Sequence, residues 1–284
     1  MSKTILLTIV AISTLLSCNP RQNTEEYISV TIAPLQYIVN SLTDSSIKVN
    51  TLIPKGMSPE SGDFSIETLK KLHDSKACIY FGTLPFEEAQ LLPALQNDKS
   101  IKGIALAAEN HAHQHSEHCT HQHHCDPHVW LSVRSMKKMS LAIANELIKL
   151  YPEKSEEITN SYIQLSQKLD SLDQRFSALF SQKEAKSFII FHPALTAFAA
   201  DYGLEQLSIE EHGKEPSPGH LQSIIEQAKS ENVKLLLMQE ESDKTQCRQI
   251  ADECGATIVI FNPLAENYIA EMERLADNFE KYME

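Results

Sequence analysis

The sequence has few glycines and few basic residues, and each shortage excludes a class of function. Only 8 of its 284 residues are glycine. It lacks the G-x-G-x-x-G, G-x-x-x-x-G-K-[ST], G-x-S-x-G and H-E-x-x-H signatures of dinucleotide-binding proteins, P-loop NTPases, elbow-type serine hydrolases and zincin proteases. Its 25 lysines and arginines are outnumbered by 38 aspartates and glutamates, for a net charge of −13. Because nucleic-acid binders normally present a basic face, a nucleic-acid partner is excluded.

The chain does contain enough apolar residues for two packed lobes. Hydrophobic residues make up 42% of it and charged residues 22%, which is typical of a folded protein rather than a disordered one. At about 150 residues per domain, the length predicts two lobes. Short apolar segments alternate with helical patterns, which indicates α/β architecture with mainly parallel sheets. We expect an N-terminal lobe over residues 27–152 and a C-terminal lobe over 184–284.

The segment between these lobes predicts one long helix. Residues 153–183 contain neither glycine nor proline, and their apolar side chains recur at intervals of three and four residues. That spacing is typical of an amphipathic helix, here roughly 40 Å long at about 1.5 Å per residue. We interpret it as a rigid spine that joins the two lobes.

The N-terminus predicts an export signal of the lipoprotein type. Residues 4–17 form an apolar run that is too short to span a bilayer, and it ends in Leu-Leu-Ser followed by Cys18. This ending looks like the box of a bacterial lipoprotein, in which the cysteine is acylated. We therefore expect a signal peptide over 1–17, lipidation of Cys18 and a tether over 18–26. The mature chain would then be lipid-anchored in the cell envelope, in the periplasm or on the outer surface of the cytoplasmic membrane.

Several polar residues lie where α/β sheets bind ligands. His192 and Asn262 each directly follow a predicted strand, and Glu60 lies in the loop after another. His128 immediately precedes a predicted helix. Ligands of open α/β sheets bind beyond the carboxyl ends of the strands, and two imidazoles with a carboxylate suit Zn²⁺. Spacing alone does not show whether these side chains lie close together. The alternatives to a metal site are that His192 is an ordinary hydrogen-bonded histidine and that Glu60 is a solvated loop carboxylate.

A histidine-rich loop over residues 111–125 predicts weak, multivalent metal binding. Eight of the 12 histidines fall between His111 and His128. Flanking polar residues deny them a core, and histidines with ordinary pKa values near 6.5 offer free ring nitrogens above pH 7. An inert polar linker and a pH sensor are the alternatives. The expected secondary ligands are His111, His113, His115, His118, His121, His123 and His124.

Three segments resemble the zinc-binding solute-binding proteins of bacterial metal ABC transporters, the cluster A-I family. They are D-P-H-V-W-L-S at 126–132, E-H-G-K-E-P-S-P at 211–218, and Phe191-His192 followed by a helix and Tyr-Gly-Leu. The resemblance covers nearly all of the mature chain. It implies two α/β lobes joined by a long rigid helix, with the metal held between them. A histidine-rich loop before the D-P-H segment is typical of the zinc branch of this family rather than its manganese branch.

Two positions depart from the family pattern and bear on the choice of metal. Glu60 stands where the family usually has a histidine after proline, and Asn262 where it often has an aspartate. The implied ligand set is therefore Glu60, His128 and His192, completed by water or by Asn262. An oxygen ligand tolerates Mn²⁺ better than a third imidazole would, but the histidines favour Zn²⁺.

These observations predict metal capture rather than catalysis. We expect a monomeric lipoprotein that binds Zn²⁺ outside the cytoplasmic membrane and delivers it to an ABC permease. The alternatives are an Mn²⁺-binding member of the same family, a metal-scavenging surface protein without a permease, and a secreted zinc hydrolase. The hydrolase would need a general base, for which Glu240 or Glu241 are candidates.

Overall fold

The computed structural model describes residues 27–60, 64–106, 127–211 and 214–283. The predicted signal peptide and tether, Cys18 and the histidines of the 111–125 loop lie outside these residues. Within the described ranges, no helix combines the length and the apolar character needed to cross a bilayer.

The first lobe is built on a four-stranded sheet in the order β2-β1-β3-β4, with every neighbouring pair parallel. Its central strand β1 carries buried residues on both faces, as expected for a sheet covered by helices on each side. The strands are β1 (Tyr27–Val30), β2 (Lys48–Thr51), β3 (Ser75–Tyr80) and β4 (Lys102–Ala105). The helices are α1 (Ala33–Thr43), α2 (Ile66–His73), α3 (Leu92–Asn97), which follows a π-helical turn at Glu87–Leu91, and α4 (Val133–Leu150).

The second lobe repeats this arrangement, with a parallel sheet in the order β6-β5-β7-β8. In both sheets the chain crosses to one side after the first strand and then returns to the other. Ligands of such sheets bind at this switch point, beyond the carboxyl ends of the strands. The strands are β5 (Ser187–Ile190), β6 (Glu205–Ser208), β7 (Leu235–Met238) and β8 (Thr257–Ile260). The helices are α6 (Thr196–Tyr202), α7 (Pro218–Ser230), α8 (Lys244–Cys254) and α9 (Tyr268–Tyr282).

A 27-residue helix, α5 (Ser155–Ser181), joins the two lobes. Glu156 and Glu157 lie in its first turn, where carboxylates oppose the positive end of the helix dipole. It packs against α1 and α4 of the first lobe and against α6 and α9 of the second. The prediction of two parallel-sheet α/β lobes joined by a long helix is therefore confirmed.

One hydrophobic core runs through both lobes. A single cluster of buried side chains includes Ile28 of β1, Leu169 and Phe176 of α5, and Phe188 of β5. Because α5 contributes to the same apolar interior as both sheets, the lobes are held by a shared core as well as by the chain connections.

Four elements were not predicted from the sequence pattern: the edge strands β4 and β6 and the short helices α2 and α3. β4 and β6 contain four residues each, and in each of them a single apolar residue, Ile104 or Leu207, is buried. Strands this short and this exposed leave no hydrophobic alternation to recognise. α7 begins at Pro218, where the Ser217 side chain caps it by accepting a hydrogen bond from the His220 amide.

Candidate metal centre

His128 enters the site from a rigid turn of the first lobe. It precedes the 3₁₀ turn Val129–Leu131, and Ser132 then caps α4 by accepting the Ser135 amide at 3.0 Å. The imidazole is 4% exposed, and its ring centroid lies 5.0 Å from that of Trp130. A buried ring held between a capped helix and an indole has little freedom to move.

His192 enters from the second lobe, two residues after the end of β5, and carboxylates lie beside both of its ring nitrogens. Nε2 lies 3.1 Å from Glu60 Oε1, and Nδ1 lies 2.7 Å from Glu210 Oε2. Burial disfavours the imidazolium, but the hydrogen bonds and negative charges of Glu210 and Glu60 outweigh it and raise the pKa of His192 to about 9. The site therefore attracts positive charge strongly.

Glu60 completes the group from the loop that follows β2. Its amide donates to the Ser58 hydroxyl at 3.1 Å, and its Oε1 lies 3.8 Å from His128 Nε2. Ligand atoms of Glu60, His128 and His192 all lie within 4.8 Å of one another. Two ligands about 2.1 Å from one zinc ion are at most about 4.2 Å apart, so both Glu60–histidine distances fit a shared ion. The structure thus brings together the three residues predicted from sequence.

Glu210 is the member of the site that sequence reasoning missed. It follows β6, and its amide donates to the Phe191 carbonyl at 2.9 Å, which places its side chain beside His192. An ionised carboxylate can only accept, so Nδ1 donates to it and Nε2 is left for a metal. A carboxylate just beyond the end of a strand would have indicated this position. Because β6 was not predicted as a strand, Glu210 was not recognised.

Asn262 lies on the wall of the same cleft. Its amide donates to Glu271 Oε1 at 2.7 Å, and its Oδ1 accepts the Leu264 amide at 2.9 Å. The side-chain oxygen that would bind a metal therefore already closes a local turn. Glu240 and Glu241, the candidate bases of the hydrolase alternative, line the cavity too, and Glu240 is paired with Lys244 at 2.6 Å.

The cleft lies between the lobes and has a volume of about 800 Å³. Trp130 of the first lobe lines the cleft, and its Nε1 donates to the Pro263 carbonyl of the second lobe at 2.8 Å. Trp130 is fully buried and also packs on Phe81, with ring centroids 5.2 Å apart. Its packing beside His128 thus also fixes one contact between the lobes.

Two parallel-sheet lobes, a joining helix and a group of metal-ligand side chains at the carboxyl ends of both sheets define a two-lobed α/β protein with a candidate metal site in its cleft. Residues 28–282 match the family described as ZnuA, zinc-uptake complex component A, periplasmic. The chain belongs to this family. Since the family consists of transport components, the prediction that the protein is not an enzyme is confirmed, and the hydrolase alternative is set aside.

Two curated relatives illustrate the similarity. The zinc-binding lipoprotein AdcA of Streptococcus pneumoniae strain R6 is 26% identical over 295 residues, covering 95% of this chain and 58% of the relative. The chain therefore spans little more than half the length of that protein. A putative metal-binding protein of Chlamydia muridarum is 23% identical, covering 90% of this chain and 91% of the relative.

Solved structures support the same fold. A ZnuA crystal structure superposes with a TM-score of 0.81 at 26% identity, covering 90% of this chain and 98% of that one. A zinc-bound ZnuA deletion mutant gives the same TM-score and identity, with coverage of 91% and 98%. The family resemblance noted from the sequence motifs is confirmed.

Proposed function

We propose that this chain captures Zn²⁺ between its lobes and is the extracytoplasmic binding component of a zinc ABC transporter. Glu60, His128 and His192 are its metal ligands in this proposal. The supporting observation is the grouping of their ligand atoms within 4.8 Å of one another, two from the first lobe and one from the second. An ion held in this way contacts both lobes.

The donor set favours zinc over manganese. Two imidazoles and one carboxylate suit a borderline cation, whereas Mn²⁺ is typically held by carboxylates, carbonyls and water. Within the described ranges, the grouping contains a single carboxylate. The relatives named as zinc-binding proteins point the same way.

Glu210 acts on the metal through His192. By accepting the Nδ1 proton at 2.7 Å it orients Nε2 toward the cleft and makes that nitrogen a stronger donor. Asn262 holds the shape of the cleft wall through its bond to the Leu264 amide, so three protein ligands define the site.

The remaining parts of the proposal involve residues outside the described ranges. Cys18 would carry the lipid that keeps the monomer at the membrane, close to its permease. The histidines of the 111–125 loop would bind zinc weakly and raise its concentration near the cleft. The tight site does not depend on them.

Zinc titration of the demetallated mature chain against a competing chelator tests this proposal. We expect one tight site that is lost in His128→Ala and His192→Ala and weakened in Glu60→Gln. His73→Ala is the matched control, since His73 is an exposed histidine paired with Asp98. Deletion of residues 111–124 should remove only weak binding. Tight one-to-one binding that survived in His128→Ala, or vanished with the loop, would contradict the ligand assignment.

A further inference from the structure

The cleft is far larger than the ion that it is proposed to hold. Its volume of about 800 Å³ compares with about 30 Å³ for one water in the liquid and with about 300–1,000 Å³ for pockets that bind small organic molecules. A single zinc ion with a water therefore occupies a small part of this space. The cleft has room for a ligand of some ten non-hydrogen atoms beside the metal.

The protein donors leave one position of a tetrahedral zinc ion to be filled from the cleft. Within the described ranges, the ligand grouping consists of Glu60, His128 and His192. Glu210 lies on the far side of the His192 ring, and the Asn262 side-chain oxygen accepts the Leu264 amide. Zinc takes four ligands, and sites with three protein ligands expose the fourth position to an exogenous donor.

The residues that line the cleft indicate the charge and polarity of the ligand that would fill this fourth position. Apolar side chains such as Ile53, Met57 and Phe191 line part of it. Six carboxylates line it, and two of them are paired with lysines, Glu240 with Lys244 at 2.6 Å and Glu266 with Lys55 at 3.6 Å. This surplus of negative charge repels anionic chelators such as citrate and favours neutral or cationic ones.

We propose that the cleft accepts zinc together with one small nitrogen-donor ligand, neutral or cationic, of the amine–imidazole class. The ligand replaces water on the zinc ion, so the exchange involves neither a covalent step nor a redox step. Its apolar part then lies against the walls of the cleft. This inference rests on the proposed function, because it specifies the form in which zinc is bound.

Histamine is a suitable probe, with citrate as the anionic comparison. Calorimetry on the full mature chain carrying one equivalent of Zn²⁺ should show one histamine per protein, bound at least about tenfold more tightly than by the metal-free chain. The same chain loaded with Co²⁺ should change its visible absorption when histamine coordinates. Citrate should form no ternary complex. His192→Ala is the control for ternary complexes formed elsewhere in the chain.

A variant that fills the cleft locates the ligand. Met57 lies on the cleft wall, is 37% exposed and is not one of the proposed metal ligands, so Met57→Trp occupies part of the space that the organic ligand would fill. It should weaken histamine binding by at least about tenfold and leave zinc affinity unchanged. Leu141→Trp is the matched control, since Leu141 is 43% exposed on α4 and lies outside the cleft lining.

The outcomes separate this inference from the proposed function. If the wild-type chain fails to bind zinc, the proposed function is wrong. If it binds zinc but histamine either fails to bind or strips the metal, only the present inference is overturned. Equal histamine affinities in Met57→Trp and Leu141→Trp would also overturn it, because the ligand would then lie outside the cleft.

Discussion

Glu210 Oε2 lies 2.7 Å from His192 Nδ1, on the opposite side of the ring from Glu60. The imidazole is thus held between two carboxylates, one that orients it and one that shares its proposed metal. This arrangement explains why a histidine that is mostly buried still prefers to carry a proton when no metal is bound.

Glu210→Gln should weaken zinc binding by about 10- to 100-fold. A neutral amide no longer holds the proton on His192 Nδ1 by its charge. Nε2 therefore becomes a weaker and less well oriented metal ligand. Chelator competition measures the change, and Glu231→Gln, at an exposed position outside the cleft lining, is the control. Equal affinities for the two variants would show that Glu210 does not act on the metal.

Zinc affinity should rise with pH up to about pH 9. Because Glu210 and Glu60 raise the pKa of His192 to about 9, zinc must displace a proton at neutral pH. At pH 7 this competition weakens binding by about 100-fold relative to a deprotonated ring. The apparent affinity between pH 7 and 8 should depend less steeply on pH in Glu210→Gln, where the proton is held less tightly. An unchanged slope would contradict this assignment of the proton.

The stability of the metal-free protein should show the opposite trend. The folded-state pKa of His192 lies above the ordinary value of 6.5, so the protonated ring stabilises the fold. This contribution, about 3 kcal/mol at most, is fully present below pH 6.5 and is lost as the pH rises through about 9. Urea unfolding at pH 6.5 and 9.5 measures it. His192→Gln should lack this part of the pH dependence. If the variant still showed it, a group other than His192 would be its cause.

Asn262→Asp should bind zinc more tightly, by about tenfold or more. The aspartate can still accept the Leu264 amide with one oxygen and offers its charge to the cleft, where a carboxylate is a better zinc ligand than an amide. Asn262→Ala should keep the wild-type affinity but lose about 1 kcal/mol of stability with the turn hydrogen bond. A large loss of zinc affinity in Asn262→Ala would identify Asn262 as a ligand.

Trp130→Phe should destabilise the protein by about 1–3 kcal/mol, because it leaves the Pro263 carbonyl without its indole donor across the lobes. Trp130→Ala should cost more, about 3–5 kcal/mol, through the added cavity. Urea unfolding monitored by circular dichroism compares the two variants. Since the chain has one tryptophan, 5.0 Å from the His128 ring, its fluorescence should change when zinc binds. Equal stability of Trp130→Phe and wild type would show that the bond contributes nothing.

Local patterns predicted the elements with strong periodicity. The apolar spacing of α5 and the apolar runs of β5 and β7 are visible in the sequence because α5 buries one face and the two strands are buried along their whole length. β6 carries no such pattern, since it is a short edge strand. Glu210 follows it, and for that reason the carboxylate that orients His192 was missed.

The sequence by itself determined the α/β alternation, the long helix and the chemical types of the candidate ligands, because each is encoded within a short stretch of chain. Only the tertiary structure decided that Glu60, His128 and His192 meet. Their positions depend on how two sheets pack through α5 into one shared core, and no local pattern records the relation between segments so far apart. The same packing decided that the cleft is acidic and much larger than a metal ion.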